Sequence, residues 1–427
     1  PDHATGRPAD LPPVRWIAGA AAADWAQAAL VAAVYAAFAA LAMTYVDAST
    51  GIAALWPAAG VAAGALALAR PAARGPMALG IVVAGMAVNL GFGAGPGRSL
   101  AFAAANTASA AVFAIAFGGL AGSGGGLRHP ADVLRLAVAA VAAGVAGATL
   151  GTGALALAGD GAGVSAERWR QWMAGDVSGI LSAAPVFLAR RARDAAGGRR
   201  GPALDILAVG AVAALAWAVV ASPWAAASAF RDLPVAALLP ALFWIGIRRS
   251  ILASAWSGFV IAAVTTVAIV EGAGLFGPGG RLADPVAFAQ ILMVTCVLSV
   301  LTLAATFEDR RRAKARLESA EERQRIAIEG SGAASWDVDL KTGQGVWSPA
   351  HFEFLGLPPS PGGSGTMAAW RERVHPADRA VIDAAFRASL DGRTPYQAEY
   401  RVIRADTGEV RWLSGYGRTF LDAAGRP

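Results

Sequence analysis

Residues 286–307 read VAFAQILMVTCVLSVLTLAATF, and 308–325 follow without a break as EDRRRAKARLESAEERQR. The first stretch holds no charged residue, and the second holds twelve. A helix needs roughly 20 mostly apolar residues to cross a bilayer. Residues 286–307 meet that length, and the charge block marks where the chain leaves the membrane. Upstream of this junction the chain is almost continuously apolar. Downstream, from about residue 320, it alternates and turns like a soluble α/β domain.

Composition agrees with this division. The chain is 56% hydrophobic with a mean hydropathy of +0.49, above globular norms. The excess lies upstream and is mostly Ala, Val, Leu and Gly, small side chains that suit close helix packing in lipid. The net charge of +6 sits in short loops and the junction rather than on one face of a domain, which argues against nucleic acid. A single cysteine, Cys296, leaves no internal disulfide and no cysteine metal cluster. No metal site, no catalytic residue and no cofactor is expected. Gly122-Ser123-Gly124-Gly125-Gly126 lacks the Lys-Ser/Thr of a phosphate loop and reads as a linker. The chain starts at Pro and stops at Pro427 in what reads as mid-fold, so a fragment of a longer protein is expected.

Ten spans are expected, at 25–46, 51–69, 77–95, 99–121, 133–158, 168–189, 204–222, 233–247, 250–270 and 286–307. With a cytoplasmic N-terminus, the inside loops collect Arg70 and Arg74, Arg128 and Arg135, Arg190 to Arg200, Arg248 and Arg249, then the Arg310 to Arg316 cluster. The outside loops hold few arginines and acids such as Glu167, Glu271 and Asp284. Lys/Arg bias sets orientation. The reading is a multi-pass protein of a bacterial inner membrane, with its C-terminal domain in the cytoplasm.

Asn89, Asn106 and Asp176 fall inside spans. An ionisable residue at membrane depth faces the bundle interior and is a site candidate by default. Asp176 lies in Trp172-Met173-Ala174-Gly175-Asp176-Val177-Ser178-Gly179, with Pro185 following. Gly175 and Gly179 are four apart, on one helix face, and either form a packing groove or flank a pocket. In Leu55-Trp56-Pro57-Ala58-Ala59-Gly60, Pro57 can kink a helix and Gly60 admits a close neighbour. Asp176, Gly175, Gly179, Trp56 and Asn89 are the sensing candidates. These two segments, with Leu239-Pro240-Ala241-Leu242-Phe243-Trp244-Ile245-Gly246-Ile247-Arg248, resemble the MASE-type integral membrane sensor domain over 15–307. The resemblance implies a sensory domain placed upstream of PAS modules, histidine kinases and diguanylate cyclases, and leaves its ligand open.

Residues 308–330 read as a signalling helix. Ala313, Leu317, Ala320, Gln324 and Ala327 step by 4, 3, 4 and 3, a thin heptad seam that implies a parallel homodimer. A solvated helix with pairs such as Glu321 and Arg325 is the other reading.

From 331 to 427 the pattern is two strands, short helices, a longer helix and a hairpin. Trp336, Val338 and Leu340 alternate. Residues 345–347 form the second strand, Ser348-Pro349 opens a helix, and 358–365 is a loop. Asp406-Thr407-Gly408 joins two alternating strands. Ser335-Trp336-Asp337, Trp347-Ser348, Val374-His375-Pro376-Ala377-Asp378-Arg379 and Glu399-Tyr400-Arg401 resemble the PAS domains of sensor kinases. That resemblance implies an antiparallel five-stranded sheet, of which four strands are expected here, the domain being incomplete before its last strand. Trp336, Trp347, Tyr400 and Trp412 are the core and pocket candidates. A flavin adduct would need a cysteine that the domain lacks, and haem an axial ligand, most often His, for which His351 and His375 are the histidines of the domain.

The fold class is therefore a multi-pass α-helical membrane bundle followed by an α/β PAS domain. The expected function is the sensory input module of a sensor histidine kinase in a two-component phosphorelay. A diguanylate cyclase input module is the second reading, and a transporter with a regulatory PAS domain is a reading of another class. Expected partners are the lipid bilayer, a second copy, an unidentified small molecule or membrane signal, and a kinase or cyclase domain in cis.

Overall fold

The structure, a computed structural model, describes residues 20–44, 46, 53, 55–121, 126–157, 166–195, 202–223, 225, 236–276, 284–391 and 394–420. The chain divides into two compact units, Pro1–Arg312 and Ala313–Pro427.

The first unit is helical: α1 (Ala22–Met43), α2 (Pro57–Leu68), α3 (Pro71–Gly91), α4 (Pro96–Ala121), α5 (Pro130–Leu157), α6 (Ala166–Ala195), α7 (Pro202–Ala216, extended by a π turn Trp217–Ala221), α8 (Leu238–Arg248), α9 (Ile251–Val270) and α10 (Pro285–Gly330). Proline opens α2, α3, α4, α5, α7 and α10, where its missing N–H costs no helical hydrogen bond. Among the described residues, eight helices are long and apolar enough to cross a membrane, against the ten spans expected. The other two, α2 and α8, have 12 and 11 residues. At about 1.5 Å per residue each reaches roughly 18 Å, short of a hydrocarbon core about 30 Å thick. Pro57 is the reason for α2: it stands at the first helical position and starts the helix rather than kinking one.

Every residue of α2 from Ala58 to Leu66 is buried. It packs on α6, α4 and α1. Contact with α6 is backbone to backbone. A Cβ on Gly179 would run into the Trp56 carbonyl, and one on Gly60 would strike the Gly179 carbonyl and Ala183.

Ion pairs tie the helix ends. Asp24, in the first turn of α1, meets Arg70, just before α3, at 2.5 Å. Asp205, in the first turn of α7, meets Arg249, just after α8, at 2.7 Å. His129, just before α5, meets Asp309 of α10 at 2.9 Å. Arg170 in α6 meets Asp284, just before α10, at 3.4 Å. The chain is thus back at the starting end of α1 when α3 begins, and at the starting end of α7 when α8 ends.

The second unit begins inside α10, whose described side chains from Ala313 onward are almost all exposed, Leu317 among them. Arg325 pairs with Glu322 at 2.7 Å. Beyond the helix lie β1 (Trp336–Val338), β2 (Gln344–Trp347), α11 (Pro349–Leu355), β3 (Ser364–Thr366), α12 (Met367–Arg373), α13 (Arg379–Leu390), β4 (Tyr396–Ile403) and β5 (Val410–Gly417). The strands form two antiparallel sheets, β1-β2-β3 and β4-β5, instead of the single sheet of four expected. The added strand, β3, lies in the Pro/Gly/Ser stretch read as loop. Gly365 lets it pass against the Trp347 indole, where a Cβ would collide. The facing edges β1 and β5 border a cleft of about 690 Å3, lined by Trp336, Val338, Tyr416 and Phe420 among others.

The hairpin register runs from Tyr396↔Gly417 to Ile403↔Val410, and Tyr396, Ala398, Tyr400 and Val402 turn inward. Asp378 fixes the start of α13 to β4. Its carboxylate accepts from the Arg401 backbone N–H at 2.8 Å and from the Arg401 guanidinium at 2.7 and 2.9 Å. Those bonds, the side-chain ones first, hold its pKa down at about 2.

Candidate functional site

Among the described residues, four aspartates of the membrane unit are buried: Asp24, Asp132, Asp176 and Asp205. Three sit in the first turn of a helix, where the dipole favours a negative charge, and each has an arginine: Arg70, Arg135 and Arg249. Asp132 also accepts the Arg128 and His129 backbone N–H groups, both at 2.9 Å. Asp176 differs. It lies ten residues into α6, is 2% exposed, and has no cation partner among the described residues.

Its surroundings come from five segments. Ser109 of α4 places its hydroxyl 3.2 Å from Asp176 Oδ2 and 2.9 Å from the Ala143 carbonyl of α5. Gly147, one turn beyond Ala143, leaves room for the carboxyl. A Cβ there would press on Asp176 Oδ2 and stand 3.1 Å from Ser109 Cβ. Asn106, on the same face of α4 as Ser109, reaches the hydroxyl of the fully buried Tyr35 of α1 at 3.4 Å. The Trp56 backbone N–H, just before α2, donates to the Gly175 carbonyl at 3.3 Å.

The structure therefore brings together four of the five candidates, Asp176, Gly175, Gly179 and Trp56. Asn89 stays apart: its amide donates to Gly85 of its own helix at 2.8 Å, so its polar group is satisfied within α3. Sequence reading passed over Tyr35, Ser109 and Gly147. One signal was present. Gly144, Gly147 and Gly151 step by three and four along α5, and they face Val177, Asp176 and Trp172 of α6.

In the C-terminal unit, Trp336, Trp347, His351, Tyr396 and Tyr400 help to line a cavity of about 30 Å3. That is space for about one water molecule. Trp336 and Trp347 fill the core more than they frame a void. The Trp370 indole N–H donates to the Tyr400 hydroxyl at 3.1 Å, while the Tyr396 hydroxyl is buried without a partner among the described residues. Burial raises the pKa of both phenols. His351, 6% exposed and without a side-chain hydrogen bond among the described residues, has its pKa pushed down to about 4 by desolvation. Trp412 is not part of this cavity. It is 68% exposed and stacks under the Arg401 guanidinium at 5.3 Å. The alternation of β5 turns Leu413 to the core, and so Trp412 outward.

Comparison with known proteins fits both units. The PAS fold model matches residues 345–427. The probable diguanylate cyclase DgcE of Escherichia coli (strain K12) is 32% identical over 85 residues, 20% of this chain and 8% of that protein. The match thus spans under a tenth of that relative's length. A sensory box histidine kinase/response regulator from Burkholderia thailandensis E264, known from a crystal structure, is 34% identical with a TM-score of 0.22, over 25% of this chain and 76% of that one. The MASE1 model matches residues 25–311, well over half of the chain. This multi-pass membrane protein belongs to the MASE1 family, and with its PAS fold it is a membrane sensory input module of a bacterial signalling protein.

Proposed function

We propose that this module senses through the buried cluster around Asp176 and, as a homodimer in the inner membrane, controls a sensor histidine kinase through its cytoplasmic PAS domain. The observation that carries the reading is the tandem of a MASE1 bundle and a PAS fold, with one 46-residue helix running from the first unit into the second. The presence of one buried acid without a cation among the described residues supports a receptor over a transport pathway, which usually holds several paired ionisable groups. The similarity to a probable diguanylate cyclase favours a second output, cyclic dinucleotide synthesis. Full-length protein supplied with labelled ATP and GTP separates the two. Phosphate on a protein histidine supports the kinase, and a cyclic product from GTP supports the cyclase.

The chain passes the membrane ten times in this proposal; the ion pairs Asp24–Arg70 and Asp205–Arg249 support it by placing α2 and α8 between chain points at the same end of the bundle. The arginine-rich end, where α10 leaves, is then cytoplasmic. Reporter fusions after Gly93, Arg128 and Arg249 should read outside, inside and inside. An outside signal at Arg249 refutes the ten-pass arrangement.

A further inference from the structure

We propose that Asp176 is a proton-binding site, and that the proton it takes up or releases sets the hydrogen bond between the Ser109 hydroxyl of α4 and the Ala143 carbonyl of α5. This rests on the reading of the Asp176 cluster as the input site.

The argument is a count of protons. The Ser109 hydroxyl has one proton and two oxygens within reach, Ala143 O at 2.9 Å and Asp176 Oδ2 at 3.2 Å. A carbonyl oxygen can only accept. If the Ser109 proton goes to Ala143, the Ser109–Asp176 contact is a hydrogen bond only when the carboxyl holds a proton and donates it to Ser109 Oγ. If the carboxyl has released that proton to water, the Ser109 hydroxyl turns to the carboxylate, and Ala143 loses its bond from α4. Both states are complete chains of donors and acceptors, and they differ by one proton and one bond between helices.

The surroundings leave a proton as the ligand these groups can accommodate. Asp176 has no ion-pair partner among the described residues, unlike the three other buried aspartates. Of the helices around it, α2 and α9 carry no titratable side chain, α5 has Asp132 and Arg135 in its first two turns, and α4 has Arg98 near its start. Tyr35 of α1 is a buried titratable group of the same cluster, its hydroxyl accepting from the Asn106 amide at 3.4 Å. On α6 itself, Arg170, six residues before Asp176, is engaged by Glu167 and Asp284, and Arg190 and Arg191 lie near the other end of the helix. Gly147 holds the space open, so that the carboxyl lies against the α5 backbone within reach of the hydroxyl that reads its state.

Infrared difference spectroscopy of the whole chain in lipid nanodiscs, stepped through pH, tests this. The expected result is a protonated-carboxyl band that titrates, is absent in Asp176→Asn and moves in Asp176→Glu. Ser109→Ala should shift the midpoint by about one pH unit or more, a tenfold change in proton affinity, and Ser109→Thr should restore it. A band set indifferent to Asp176→Asn, or a midpoint indifferent to Ser109→Ala, overturns the proposal. The output of the full-length protein keeps the two readings apart. If the band titrates as described but Asp176→Asn leaves the output unchanged, the proton site stands and the input reading falls. If Asp176→Asn removes the output and no band titrates, the input reading stands and the proton site falls.

Discussion

Acidification should loosen the C-terminal unit through one side chain, His351. It is 6% exposed, its ring lies 4.9 Å from the Trp347 ring, and it lines the small cavity with Trp336, Tyr396 and Tyr400. Desolvation depresses its pKa from 6.5 to about 4 in the folded state. Between those values the unfolded chain binds a proton at this site and the folded chain does not. Stability is therefore complete above pH 6.5 and falls as the pH drops toward about 4. Going from about pH 7.5 to 5.5 crosses roughly one unit of that window, a loss of at most about 1.4 kcal/mol, or tenfold in the unfolding equilibrium. The figure is an upper bound, because residual solvent contact screens the charge. Pulse proteolysis of the full chain in urea, scored by cleavage within 331–420, reads the unfolding midpoint at each pH. His351→Leu fills the site without a titrating group, and every other ionisable residue cancels in the comparison. The wild-type midpoint should drop over this range, and the variant's should drop by clearly less. Parallel pH slopes in the two proteins would refute the reasoning.

Three further outcomes are expected from the packing. Gly179→Val should drive α2 from α6 at the Trp56 carbonyl and cost about 1–3 kcal/mol, seen as a lower Tm of the detergent-solubilised protein; an unchanged Tm would mean that the two backbones are not in contact. Asp205→Asn breaks a pair whose side chains are only 10% and 13% exposed and should cost about 3 kcal/mol by the same assay. The exchanged pair Asp205→Arg with Arg249→Asp should recover part of that loss, and no recovery would rule out the ion pair as its cause. Gly365→Ala should collide with the Trp347 ring and lower the urea midpoint of the C-terminal unit by an amount equivalent to about 2 kcal/mol; wild-type behaviour would show that β3 does not pass there.

What the sequence decided by itself was local. The apolar run ending at Phe307 and the charges from Glu308 separate a membrane unit from a soluble one, because transfer into lipid depends on composition over about 20 residues. The inward alternation of Tyr396, Ala398, Tyr400 and Val402, and the turn at Gly408, follow from a period of two and a left-handed turn, φ +71°. Asp176 was also legible, since an acid at membrane depth is conspicuous in any apolar segment. Tertiary structure decided the rest. It shortened α2 and α8, because a helix inside a bundle needs neighbours on its faces more than it needs full membrane length. It set Asn89 apart from Asp176, because its amide found the Gly85 carbonyl one turn back. It turned Trp412 outward, since adjacent residues of a strand face opposite sides and Leu413 holds the core side. Above all it chose Ser109, Tyr35 and Gly147 as the company of Asp176. A serine, a tyrosine and a glycine on three helices carry no shared pattern along the chain, and only helix packing brings one hydroxyl within reach of two oxygens.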